Sequence, residues 1–202
     1  MIKTIVFDIG NVLMRFEYKS YVKKLLGDDD LIEKVNDAIW RTGYWNELDL
    51  GYDPELVFSK MLAAGPDYQN EIRMVIDNVG QCIGRAEYAK DWIKGLKERG
   101  FQILFLSNYS QYIMQAAPEA LDFLPLMDGG IFSCNIGLIK PDLKIFRSLC
   151  EEYRLDPEEC VFIDDNKDNI KAAQRAGFHT VHFVEFIQAK DELEEIIRGI
   201  PD

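Results

Sequence analysis

Thr4-Ile5-Val6-Phe7-Asp8-Ile9-Gly10-Asn11-Val12-Leu13 is the stretch whose reading decides the fold. An apolar run stops at a carboxylate, and a Gly-Asn turn follows at once. Apolar residues without polar alternation read as a strand buried on both faces, which is the habit of parallel sheets. Open α/β sheets bind their ligands at the carboxyl ends of strands, and Asp8 stands at such an end. A turn-capping Asp has the same local pattern, so the choice falls to the rest of the chain.

Downstream, residues 101–106, 131–133, 160–163 and 180–184 read as further strands. Between them lie amphipathic segments over 88–96, 111–127 (interrupted at Pro118 and Pro125), from Lys140-Pro141-Asp142 to about 153, over 170–176 and over 189–198. Arg99-Gly100-Phe101 and Ala176-Gly177-Phe178 repeat one punctuation, a helix end feeding a strand. Strands alternating with helices imply parallel pairing through right-handed crossovers. The expected fold class is therefore α/β, a Rossmann-like parallel five-stranded core sheet.

Residues 16–82 depart from that rhythm. Tyr18, Tyr21, Val22, Leu25 and Leu26 recur at helical spacing, as do Leu31, Ile32, Val35, Ile39 and Trp40. Gly27 and the run Asp28-Asp29-Asp30 separate the two helices. Residues 41–52 read as an ordered loop, Asp53-Pro54 starts a third helix ending at 63 or 64, and a fourth covers 68–79. With no strand expected in it, this block reads as a helical cap (16–82) inserted into a core formed by 1–15 and 83–202.

The net charge of −12 disfavours nucleic acids and anionic membranes as partners. The four cysteines form no CxxC pair and gather no histidines, which excludes a zinc site of familiar spacing and fits free thiols in a reducing compartment. No signal-like segment precedes the first strand, and no apolar run is long enough to span a bilayer. A cytoplasmic protein is expected, a monomer by default with a homodimer left open.

Three strands end in polar residues: Asp8, Ser107-Asn108 and Asp164-Asp165. The loop carrying Lys140 reaches the same sheet edge. Each has a plain alternative as turn, cap or solvated lysine, but their recurrence at successive boundaries argues for one crevice. Carboxylates, a hydroxyl and an ammonium suit phosphoryl transfer to an aspartate. Mg²⁺ prefers carboxylate and carbonyl oxygens and would bridge Asp8, the Gly10 carbonyl and Asp165. Ser107 and Lys140 would hold the phosphate, with Lys140 also screening Asp8. The Gly10-Asn11 turn and Asn108 would add donors.

These residues resemble the haloacid dehalogenase superfamily of aspartate-nucleophile hydrolases over essentially the whole chain. Asp8-Ile9-Gly10-Asn11-Val12 matches its motif I, Ser107 motif II, Lys140 motif III, and Asp164-Asp165-Asn166-Lys167-Asp168-Asn169 the DDxxxN form of motif IV. The helical insertion looks like the family's C1 cap. The resemblance implies that Asp8 is the nucleophile and a metal ligand and that Asp165 is the main second ligand. Asp164 would bind the metal or stand directly behind it, and Asn169 would orient the acidic pair.

The pattern breaks at Gly10, where the family's phosphatases usually carry a second Asp as general acid. Glu47 and Asp49, in Trp45-Asn46-Glu47-Leu48-Asp49-Leu50-Gly51, are candidate replacements; Trp45 joins them as a candidate substrate contact. The DxGNV form with this cap stretch is similar to the bacterial branch of glucose 1-phosphate phosphatases, which ranks sugar phosphates first among small phosphorylated metabolites. Two alternatives stay open: a metal-free 2-haloacid dehalogenase, and a catalytically retired domain that binds a ligand or partner.

Overall fold

The computed structural model describes residues 1–199; the last three positions of the expected core segment lie outside them. The strands are β1 (Thr4–Phe7), β2 (Met14–Phe16), β3 (Ile83–Arg85), β4 (Gln102–Ser107), β5 (Gly129–Phe132), β6 (Cys160–Asp164) and β7 (His179–His182). Five form one sheet in the order β5-β4-β1-β6-β7, and its four pairings are all parallel. β1 is central, with Ile5 opposite Ile103 of β4 and Val161 of β6.

Alternate residues of each strand supply opposite faces, as a two-residue period requires. Ile5, Phe7, Ile103 and Phe105 enter one apolar cluster, while Val6, Leu104, Leu106 and Phe162 enter the other. Full burial of side chains this size is worth about 1.5–3 kcal/mol each. The ends of β1, β4 and β6 are consequently a rigid mount for whatever follows them. Gly100 (φ 88°) and Gly177 (φ 95°) adopt the left-handed conformation expected of the repeated helix-to-strand junctions.

Between β2 and β3 the chain forms the helices Tyr18–Leu26, Asp29–Asn36, Tyr44–Asp49, Pro54–Ala64 and Gln69–Asp77, joined by short turns. Asp28 and Asp53 cap two of them by accepting from Leu31 N–H and Leu56 N–H, as their sequence positions predict. Three details differ from expectation. The chain enters and leaves this block through an antiparallel ribbon, Met14 opposite Arg85 and Phe16 opposite Ile83; three-residue strands carry too little alternation to read. The segment expected to be helical through Trp40 changes to a wider turn at Asp37–Arg41.

The third difference bears on function. Residues 44–49, expected as loop, are helical, bracketed by Gly43 (φ 75°) and Gly51 (φ 87°). Gly43 offers no capping side chain, so the usual helix-start signal is missing. Tertiary contacts hold this short helix instead: Leu48 is buried, and Trp45 packs against Trp40 with the rings tilted by 34° and their centroids 4.4 Å apart.

Candidate active site

The apolar run Thr4–Phe7 delivers Asp8 to the sheet edge, where its N–H still donates to the Ile163 carbonyl of β6 (2.8 Å). The chain then turns sharply, with the Val12, Leu13 and Met14 N–H groups converging on the Ile9 carbonyl. The turn needs a positive φ at Asn11 (55°), a conformation Asn tolerates better than most residues. Asp8 Oδ1 accepts from its neighbour's N–H (Ile9, 2.7 Å) and from Lys140 Nζ (2.9 Å).

Lys140 is 3% exposed and bridges two carboxylates, reaching Asp164 Oδ2 at 2.7 Å as well. Its helix begins only at Leu143, with Asp142 as cap, so Lys140 itself sits in the preceding loop. Asn108 fixes that loop. Its carboxamide accepts from Lys140 N–H (2.8 Å) and donates to the Lys140 carbonyl (3.0 Å). Both ends of that carboxamide are thereby engaged in positioning the lysine, while Asn108 also lines the cavity beside the acids.

Asp164 and Asp165 part company. Asp164 is 0% exposed, and Asn166 N–H (2.7 Å) and the Asn169 carboxamide (3.1 and 3.0 Å) add to its Lys140 contact. With its oxygens so occupied, Asp164 holds Lys140 in place from behind. Asn169 lies on the first turn of the helix Lys167–Arg175, and its amide orients Asp164 alone. Asp165 is half-buried and accepts from the Asn11 carboxamide at 3.0 Å. The Asn11 side chain thus ties the first turn to the end of β6.

Oxygens of Asp8, Asp164 and Asp165 lie within 4.8 Å of one another. Burial raises the pKa of Asp8, opposed by Lys140 and reinforced by Asp164 and Asp165. Burial also raises Asp165, with Asn11 opposing. For Lys140, burial pulls downward, but Asp164 and Asp8 outweigh it and keep the ammonium charged. Three carboxylates face one buried cation, a deficit that an oxygen-seeking divalent ion makes good. Asp8 and Asp165 are the carboxylates with room to hold it. Ser107 Oγ is buried and has no hydrogen-bond partner among the described residues. A buried orphan hydroxyl is costly unless a ligand satisfies it.

Beside this cluster opens a cavity of about 120 Å³, lined by Gly10, Asn11 and Asn108 from the sheet edge and by Phe16, Trp45 and Asp49 from the other side. Phe16 also lines a second, larger cavity of about 670 Å³ that continues past Tyr18, Trp40 and Arg41. Of the two acids nominated from sequence, Glu47 is turned away and paired with Lys60 at 2.6 Å. Asp49 is 9% exposed, and burial, with the charge of Asp8 adding and Lys140 opposing, raises its pKa to about 7.

Ser133 escapes the sequence reading. Its Oγ accepts from Tyr109 N–H (3.0 Å) and donates to the Asp49 carbonyl (2.6 Å), joining the ends of β4 and β5 to the Tyr44–Asp49 helix. Its signal was a polar residue directly after an apolar strand, the same signal that marks Ser107.

The haloacid dehalogenase-like hydrolase profile matches residues 2–177. Sesquiterpene phosphatase astK of Aspergillus oryzae is 22% identical over 195 residues, 96% of each chain. (S)-2-haloacid dehalogenase 4A of Burkholderia cepacia is 28% identical over 93 residues, 46% of this chain and 40% of that one. Several curated relatives are matched over two fifths of their length or less. Among solved structures, an enzyme of the same family from Bacteroides thetaiotaomicron, in complex with magnesium and inorganic phosphate, superposes with a TM-score of 0.70. It is 22% identical, covering 90% of this chain and 93% of that one. No helix among the described residues is long and apolar enough to cross a membrane. From its matched profile and from the acids and lysine gathered at the ends of β1 and β6, the chain belongs to the haloacid dehalogenase-like hydrolases.

Proposed function

We propose that the protein is a Mg²⁺-dependent phosphomonoester hydrolase that acts on small phosphorylated metabolites through an aspartyl-phosphate on Asp8. The observation that carries this reading is the buried Lys140 ammonium shared by Asp8 and Asp164, together with the orphan hydroxyl of Ser107 at the end of β4. Lys140 offsets the repulsion between an anionic nucleophile and an anionic phosphate. Ser107 supplies a donor that no group among the described residues uses. Asp8, Asp165 and the Gly10 carbonyl would hold Mg²⁺, which when bound neutralises phosphate charge. The helices of residues 16–82 form the cap in this reading and set the leaving group.

Sugar phosphates come first by the resemblance in the DxGNV turn. A second reading, an apolar or aromatic leaving group, draws support from the Phe16, Trp45 and Trp40 walls and from the sesquiterpene phosphatase relative. Phosphate release from p-nitrophenyl phosphate, a sugar-phosphate panel and prenyl phosphates, with Mg²⁺ or EDTA, tests both. Activity that survives EDTA or Asp8→Asn refutes the mechanism. Dechlorination of 2-chloropropionate would favour a dehalogenase, and Mg²⁺ binding with no turnover a retired domain.

A further inference from the structure

We propose that Asp49 is the acid–base residue of this site, protonating the leaving group in the first half-reaction and deprotonating water in the second. This rests on the phosphatase reading above and fills the role that Gly10 leaves vacant.

Asp49 faces the chamber that Gly10 and Asn11 also line. Asp49 is nine-tenths buried, and the groups acting on its carboxylate are the charges of Asp8 and Lys140, with no hydrogen-bond donor to it among the described residues. An unpaired buried carboxylate costs stability, and folds retain such groups chiefly where they work. The residue is also firmly mounted. Ser133 Oγ holds its carbonyl at 2.6 Å, and the chain then turns at Gly51 (φ 87°) so close to the core that a Cβ there would lie 2.5 Å from the Cys134 carbonyl oxygen. Glu47, two residues earlier, is held by Lys60.

The chemistry balances without any further reactant. As Asp8 attacks phosphorus, the bond from phosphorus to the ester oxygen breaks, and the Asp49 carboxylic acid gives that oxygen its proton, releasing an alcohol. Water then attacks the phosphoryl group on Asp8 while the Asp49 carboxylate takes its proton. The bond between phosphorus and Asp8 breaks, inorganic phosphate leaves, and both carboxyl groups return to their starting states.

Phenyl phosphate and p-nitrophenyl phosphate distinguish this role from a structural one. They are similar in shape, but phenolate is by far the stronger base and needs the proton. For Asp49→Asn, kcat/KM on phenyl phosphate should fall by about 100-fold or more, and on p-nitrophenyl phosphate by about 10-fold or less, within the range general acids supply. Because both esters are read on one preparation, their ratio does not depend on the fraction folded. An equal fall on both esters, or no fall on phenyl phosphate, overturns the assignment. Glu47→Gln should keep the wild-type ratio; a changed ratio there would move the role to Glu47 and overturn it too. If Asp8→Asn retains activity, the phosphatase reading itself fails, an outcome separate from the ratio.

Discussion

Replacing Asp49 with Asn should make the protein more stable while making it a worse enzyme. Burial, with the charge of Asp8 adding to it, pushes the folded-state pKa of Asp49 up to about 7 from the 3.8 of an ordinary aspartate. Above pH 3.8 the unfolded chain sheds this proton while the folded chain keeps it. Stability is therefore lost as pH rises from about 4 to about 7 and changes little beyond. At about 1.4 kcal/mol per pKa unit, the wild type forgoes about 2 kcal/mol at pH 5 and about 4 kcal/mol at pH 8 relative to a neutral side chain of the same shape. Those figures are ceilings for Asp49→Asn, since the new amide N–H₂ must find an acceptor in the same chamber. Urea unfolding in EDTA at both pH values measures the difference. A gain at pH 8 larger than at pH 5 is expected. A gain of equal size at both, or a loss at pH 8, would refute the claim that Asp49 is a strained, unpaired acid.

Lys140→Met leaves Asp8 and Asp164 facing each other without their shared cation, and should cost about 3–5 kcal/mol in urea unfolding without metal. Added Mg²⁺ should restore part of it. Ser107→Ala removes a buried hydroxyl with no partner among the described residues, so stability without phosphate should hold or rise, by about 1 kcal/mol at most; inhibition by inorganic phosphate should weaken clearly in the same variant. Gly51→Ala drives a Cβ toward the Cys134 carbonyl at a positive φ and should cost more than about 1 kcal/mol, with kcat falling as Asp49 shifts.

Strand ends were legible because the signal is local: an apolar run broken by a polar residue at 8, 107 and 164 marks both the strand and its outlet. Helix caps at Asp28 and Asp53 were legible for the same reason, since a cap bonds within its own turn. Asn108 and Asn11 were identified as site residues, but their bonding partners were not. Their amides bond to Lys140 and Asp165, 32 and 154 residues away, and no local pattern encodes such pairings.

Read alone, the sequence settles the alternation of elements, the α/β class and the acids, hydroxyl and lysine brought to one sheet edge, because each follows from periodicity and from chain ends meeting in a parallel sheet. Only the tertiary structure separates Asp49 from Glu47. The two are neighbours on a segment that reads as a loop, and its helical turn sends one carboxylate into the chamber and the other to Lys60. Residues two apart on a helix do not share a face. That fact acquires meaning only once Ser133 and the Gly51 turn hold the helix against the core, leaving Asp49 buried within reach of the charge on Asp8.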